Sequence, residues 1–291
     1  SLHTNLISIY KSKGTEKSFR NFFRSLGINS DLIKLNMYSD GSTYILENNY
    51  FNDSIEKNYV NFYTEDNLEA TIYSTSSAAN SNLYVAGASN YSSLTIESNI
   101  ILPHKNPHGT SPIPSGFLSS SIFGFHTPKT SKVGWAGTDY ELSVFVLKED
   151  ASSLSFEGVQ PRVRFALSSS QIGVLTSPFI REQYDDNNWT ISVKIKHSNY
   201  PNSGLISGSS PTNYDVEFYG VESVGNTKSN SFLVTGSMTG HSLITSNKGF
   251  YVGAHRTDFT GSVLQRSDIK IGNLLYWNCY LSNDQIDEHS Y

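Results

Sequence analysis

The closing stretch of the chain decides its fold: Gly249-Phe-Tyr-Val-Gly-Ala-His255, then Phe259-Thr-Gly-Ser262, Asp268-Ile-Lys-Ile271, Tyr276-Trp277 and Leu281-Ser-Asn-Asp-Gln-Ile286. Short apolar and aromatic runs alternate with Gly, Asn and Ser, the punctuation of strands and turns. Ser282 stands where an N-cap belongs, so a short closing helix through Ile286 is expected. The same grammar extends backward. Strands are expected over 70–74, 83–86, 94–102, 121–126, 140–148, 162–167, 189–197, 214–221, 231–235, 250–254, 270–271 and 274–281. No long helical period separates them, which argues against a parallel α/β sheet. Antiparallel strands in this number fit a two-sheet sandwich of jelly-roll type. Pro103, Pro107, Pro112 and Pro114 mark one long irregular loop within it.

Composition agrees. Of 291 residues, 37% are hydrophobic and only 16% charged, against roughly 25% charged in an average soluble domain. There are 47 Ser, 26 Asn, 21 Gly, 18 Tyr and 16 Phe. Hydroxyls, amides and aromatics at low charge suit sheets and turns, and so many aromatics argue against disorder. A net charge of −5 argues against a dedicated nucleic-acid binder. The single cysteine, Cys279, excludes a disulfide within the chain and any Cys-based zinc cluster. Its place in the expected strand 274–281 reads as that of a small buried hydrophobe. No apolar run approaches the ~20 residues of a membrane span, so no membrane insertion is expected. The chain starts at Ser1 without a signal-peptide pattern, and it reads as a piece of a longer product.

The first fifty residues differ. Leu2, Leu6, Ile9 and Tyr10 recur at helical spacing until Lys13-Gly14 breaks the pattern. Thr15 is a good N-cap and Glu16 suits the positive end of a second helix. Phe19, Phe22, Phe23 and Leu26 form its apolar stripe, and Gly27 sits at the C′ position. Residues 32–38 alternate as a strand, with Ile33, Leu35 and Met37 on one face, and Asp40-Gly41 signals a hairpin turn. The expected organisation is a small α+β helix-helix-strand module over 1–50, a connection over 51–69, and the mainly β sandwich over 70–291. Lys11, Lys13, Lys17, Arg20 and Arg24 make the module basic within an acidic chain. These five are the candidate partner-binding residues, weighed against an ordinary solvated face.

Chemical motifs are sparse. Asp215 and Glu217 share one face of an expected strand. A retaining glycosidase needs two carboxyls about 5–5.5 Å apart, but an exposed polar face is the stronger reading, and no enzyme is expected. Asp185, Asp186, Asn187 and Asn188 form an oxygen-rich loop of the kind calcium uses, although an Asx-rich turn accounts for it equally. The eight histidines show no metal-binding spacing; His104, His108 and His126 flank the proline-rich loop and read as loop surface. There is neither a Gly-x-Ser-x-Gly elbow nor a phosphate-cradling loop. The Asn-x-Ser/Thr triplets at Asn52, Asn90 and Asn188 are expected by chance in this composition.

The closing stretch, together with Tyr184-Asp-Asp-Asn-Asn-Trp189 and Ile191-Ser-Val193, resembles laminin-G-like, concanavalin-A-like lectin domains over about residues 70–291. Tyr-Asp-Val-Glu-Phe-Tyr-Gly at 214–220, Tyr-Val-Gly-Ala-His-Arg-Thr at 251–257 and Ile-Leu-Pro-His-Lys at 101–105 are similar to segments of large virion structural proteins of tailed bacteriophages. Tyr10-Lys-Ser-Lys-Gly-Thr-Glu-Lys-Ser-Phe19 is similar to a helical element of phage tail and baseplate proteins. The resemblance implies a virion component of the tail or baseplate. Its partners would be other virion proteins, or further copies of itself, with no nucleic acid among them. It also implies a calcium site of the lectin type at Asp185, Asp186 and Asn187. The alternative is a host-surface glycan-binding module of a tail or fibre, and a glycan-cleaving enzyme is the weakest reading.

Overall fold

A computed structural model describes residues 2–29, 32–34, 58–64, 66–74, 93–104, 118–127, 141–148, 162–180, 183–201, 213–225, 227–257 and 261–291. The expected strand at 83–86, the Asp40-Gly41 turn, and His108, Pro107, Pro112 and Pro114 lie outside the described residues. The chain divides into two compact units, Ser1–Ile55 and Glu56–Tyr291.

In the first unit, helix α1 (Leu2–Lys11) and helix α2 (Glu16–Ser25) are joined by a turn in which Gly14 has φ 80°. Thr15 is the N-cap residue, but its hydroxyl donates backward to Ser12 O at 2.6 Å, closing the turn. Gly27 ends α2 at φ 84°, the left-handed conformation expected of C′. Ser18 donates to Ile9 O at 3.1 Å and ties the helices together. It is the one buried residue among those described in this unit. Residues 32–34 form no strand: Leu32 closes a turn onto Asn29 O, and 35–38 lie outside the described residues.

The second unit is a sandwich of two six-stranded antiparallel sheets. Its strands are β1 (Val60–Asn61), β2 (Thr71–Tyr73), β3 (Leu94–Leu102), β4 (Ser119–His126), β5 (Glu141–Lys148), β6 (Val163–Ser169), β7 (Gly173–Thr176), β8 (Asn187–His197), β9 (Asn213–Val224), β10 (Thr227–Thr239), β11 (Gly249–Gly253), β12 (His255–Arg256), β13 (Val263–Gln265) and β14 (Lys270–Trp277). Helix α3 (Ser242–Thr245) precedes β11 and helix α4 (Asn283–His289) closes the chain. One sheet runs β1-β14-β3-β8-β9-β10, the other β2-β11-β4-β5-β6-β7, and β12-β13 is a separate hairpin. The chain crosses repeatedly between sheets, which is the jelly-roll pattern expected from the sequence.

Alternation explains the core. Trp189, Ile191, Val193 and Ile195 of β8, with Tyr214, Val216 and Phe218 of β9, point inward and are fully buried. Trp189 lies 4.9 Å from Phe165 of the opposite sheet and 6.0 Å from Phe232, ring centre to ring centre. Its indole N–H donates to Gln183 Oε1 at 2.6 Å, so the buried polar atom is satisfied. The other face of this sheet is covered as well. Ile286 of α4 packs with Leu281, Tyr219, Val221 and Trp277 in a second apolar cluster. Ser282 caps α4 in a reciprocal capping box with Gln285.

Three expectations need correction. The sandwich starts before residue 70: Phe62 and Leu68 are core residues, and Gly253, at φ 89°, leaves the space that Phe62 fills. The strand expected over 274–281 stops at Trp277 and is continuous with 270–271 through a bulge. Beyond it, Thr95 Oγ1 donates to Cys279 O and accepts from Leu281 N, replacing sheet pairing with side-chain bonds. The chain therefore peels off the sheet, and Cys279 is exposed rather than buried.

A Cβ at Gly220 would stand 2.3 Å from Phe232 and 2.9 Å from Ile191. Gly220→Ala should thus destabilise the sandwich by about 1–3 kcal/mol through overpacking, read as a lower urea midpoint. Ser282→Ala removes a cap and should cost about 1 kcal/mol in the same measurement.

Candidate functional site

The basic residues of the helical unit are spread over both helices and the turn between them. Lys11 and Lys17, with Ile7, Ser8 and Ser12, line a shallow hollow of about 490 Å³. Lys13 is exposed in the turn between the helices. Arg20 is drawn to Glu16 one turn away at 2.6 Å, and Arg24 lies exposed in the last turn of α2. Beside these cations, Leu6, Ile7, Tyr10, Phe19, Phe22 and Leu26 are all exposed. The apolar stripe read from the sequence is present, and among the described residues it is largely open.

Asp215 and Glu217 do lie on one face of β9, but they play structural parts. Glu217 is bonded by Lys194 at 2.8 Å, Lys196 at 2.6 Å and Tyr280 at 2.8 Å. Burial alone would raise its pKa, yet the hydrogen bonds from Lys194, Lys196 and Tyr280 outweigh burial and hold it down at about 2. A carboxyl so held cannot act as a general acid. Asp215 accepts from Ser198 at 3.0 Å. Lys194 is fully buried, and burial lowers its pKa against the pull of Glu217. Lys194 also donates to Asn283, while Tyr219 and Lys228 both hold Asp287. Glu97, 2% exposed, accepts from Trp277 Nε1 at 2.9 Å and pairs with His289 at 2.8 Å. The ionic groups of this face thus fasten the closing helix to the sheet.

The Asp185–Asn187 loop is polar but engaged. Asp185 meets His104 Nδ1 at 2.6 Å, and Asp186, at φ 57°, meets Lys270 at 3.3 Å. Asn187 opens β8 opposite Leu102. Calcium takes about six to eight oxygens; among the described residues the loop offers two carboxylates, each held by a nitrogen partner, and one amide. The nearby Asp268 is fully buried and serves the core, taking Tyr184 OH at 2.9 Å and Lys148 at 2.5 Å.

The densest cluster of chemistry-bearing side chains is elsewhere. His126 ends β4 and pairs across the sheet with Glu141 at the start of β5. On its other side it faces Gly249, which offers no side chain. The Tyr251 ring stacks on His126 at 5.5 Å and on His255 at 5.0 Å, and the two imidazoles lie 5.2 Å apart. Gly124 makes room for Tyr251: a Cβ there would stand 2.5 Å from its hydroxyl. One ligand atom each of His126, Glu141 and His255 lies within 4.8 Å of the others, the single such group among the described residues. Burial, then the neighbouring His255, lowers His126 to about 3, and burial lowers His255 to about 4, so both are neutral near pH 7. Sequence reading missed this group because its members stand at 126, 141 and 255, and only the tertiary fold brings them together.

No protein-family model matches the sequence, and no curated protein matches it. Among solved structures, the fold is similar to a native heptameric SAP-like pentraxin from Limulus polyphemus, at 10% identity and TM-score 0.34 over 77% of this chain and 83% of that one. It is also similar to an alginate lyase from Klebsiella pneumoniae, at 10% identity and TM-score 0.31 over 64% of this chain and 59% of that one. The class the fold itself defines is a mainly β, two-sheet antiparallel sandwich of jelly-roll type.

The Glu217 geometry fixes a pH dependence. Its folded pKa lies below the ordinary 4.5, so its stabilisation is present above that value and is lost as pH falls toward 2. Glu217→Gln should flatten the fall in stability over this window, measured by urea unfolding at a series of acidic pH values.

Proposed function

We propose that the protein is a structural component of a bacteriophage virion, of the tail or baseplate, working through protein–protein contacts. The observation that carries this reading is the helical unit. Phe19 is 56% exposed and Ile7 70%, on two ten-residue helices in which Ser18 is the one buried residue among those described. Apolar surface rimmed by lysine and arginine is the character of a protein interface. The phage-like wording of 10–19, 101–105, 214–220 and 251–257 supplies the setting. The acids of the sandwich outer face support a binding rather than a catalytic role, since Glu217 and Asp287 are spent on fastening α4.

Peptides of this chain should co-sediment with gradient-purified particles and survive a high-salt wash; a chain found only in the soluble fraction overturns the proposal. Phe19→Asp with Phe22→Asp should abolish incorporation while the thermal unfolding of the sandwich stays unchanged.

A second reading, a host-glycan-binding module, has one observation in its favour. Tyr200 is 42% exposed, stands 5.1 Å from Tyr280, and Lys196 lies 4.4 Å over the Tyr280 ring. Aromatic faces beside polar groups suit sugar rings. A glycan array with no ligand sensitive to Tyr200→Ala would discard it.

A further inference from the structure

We propose that His126, Glu141 and His255 form a binding site for a divalent transition-metal ion of the zinc type, which ties the β12–β13 hairpin to β4 and β5. The three residues come from three strands and share no sequence neighbourhood, yet their ligand atoms lie within 4.8 Å of one another. Around a tetrahedral zinc, with bonds of about 2.0–2.2 Å, ligand atoms stand roughly 3.3 Å apart. Glu141 already stands 3.8 Å from His126 Nδ1, and its half-exposed side chain has room to close the rest. His126 is held beneath, its ring fixed by stacking on Tyr251.

The donor set selects the ion. Two imidazoles and one carboxylate suit zinc, and also nickel, copper or cobalt, whereas calcium and magnesium prefer oxygen alone. The buried Nε2 of His255 has no hydrogen-bond partner among the described residues, and a buried polar atom left so calls for an explanation that a metal supplies. Three protein ligands leave the fourth position to water on the Glu141 side, the open arrangement zinc adopts outside closed structural sites.

The test uses the full chain with Cys279→Ser, so that the exposed thiol contributes nothing. The chain is stripped with chelator and titrated with zinc chloride by calorimetry, with calcium chloride as comparison. Zinc should bind at one per chain and raise the unfolding temperature, and calcium should do neither. His255→Ala and Glu141→Ala should each weaken zinc binding at least about tenfold, while Asp185→Asn with Asp186→Asn leaves it unchanged. Unfolding of each variant without metal establishes that it folds; Glu141, half exposed, is the variant expected to fold like the parent. Absence of saturable one-to-one zinc binding overturns the proposal. So does an affinity unchanged in Glu141→Ala or His255→Ala, which would mark the binding as adsorption elsewhere.

Discussion

The structure rests on the burial of both faces of strand Asn187–His197. On the inner face, Trp189 meets Phe165 from the opposite sheet and Phe232 from its own. Large rings at this crossing set the distance between sheets and exclude water from the surrounding aliphatic residues. On the outer face, Thr190, Ser192 and Lys194 are buried too, because the chain returns through the closing helix to cover them. A strand buried on both faces cannot slip in register, since a one-residue shift would send Lys194 into the aromatic core.

Covering a polar face with a helix carries a desolvation cost. An isolated buried ammonium is strongly unfavourable, and a buried ion pair stabilises only where its remaining hydrogen bonds are met. Here Lys194 meets both Glu217 and Asn283, Glu217 takes two further donors, and Asp287 is shared by Tyr219 and Lys228. The same saturation removes Glu217 from acid–base chemistry. Of the two carboxylates weighed as a glycosidase pair, Glu217 is thus part of the clamp on the closing helix, through Lys194 and Asn283, while Asp215 accepts from Ser198.

The imidazole group on the other sheet is of a different kind. Its residues come from β4, β5 and β12. Tyr251 and Gly124 shape the recess, and the half-exposed Glu141 opens it to solvent. The helical unit contributes a third surface, apolar and basic, on which Phe19 and Phe22 are exposed.

Strand-length patterns are local, so the sequence alone determined the element types: the helices at 2–11 and 16–25, most strands of the sandwich, and the Ser282 cap were all legible. Short strands such as Val60–Asn61 and His255–Arg256 were not, because two residues carry no period. The fate of individual side chains was decided by tertiary structure. Cys279 became exposed because Thr95 captured the neighbouring backbone, and Glu217 became a clamp because Lys194 and Tyr280 arrived from other strands and loops. Antiparallel register set His126 beside Glu141, and the turn after β11 brought His255, more than a hundred residues further along the chain, against His126. Periodicity reports which face a residue takes; only the pairing of strands decides what it faces.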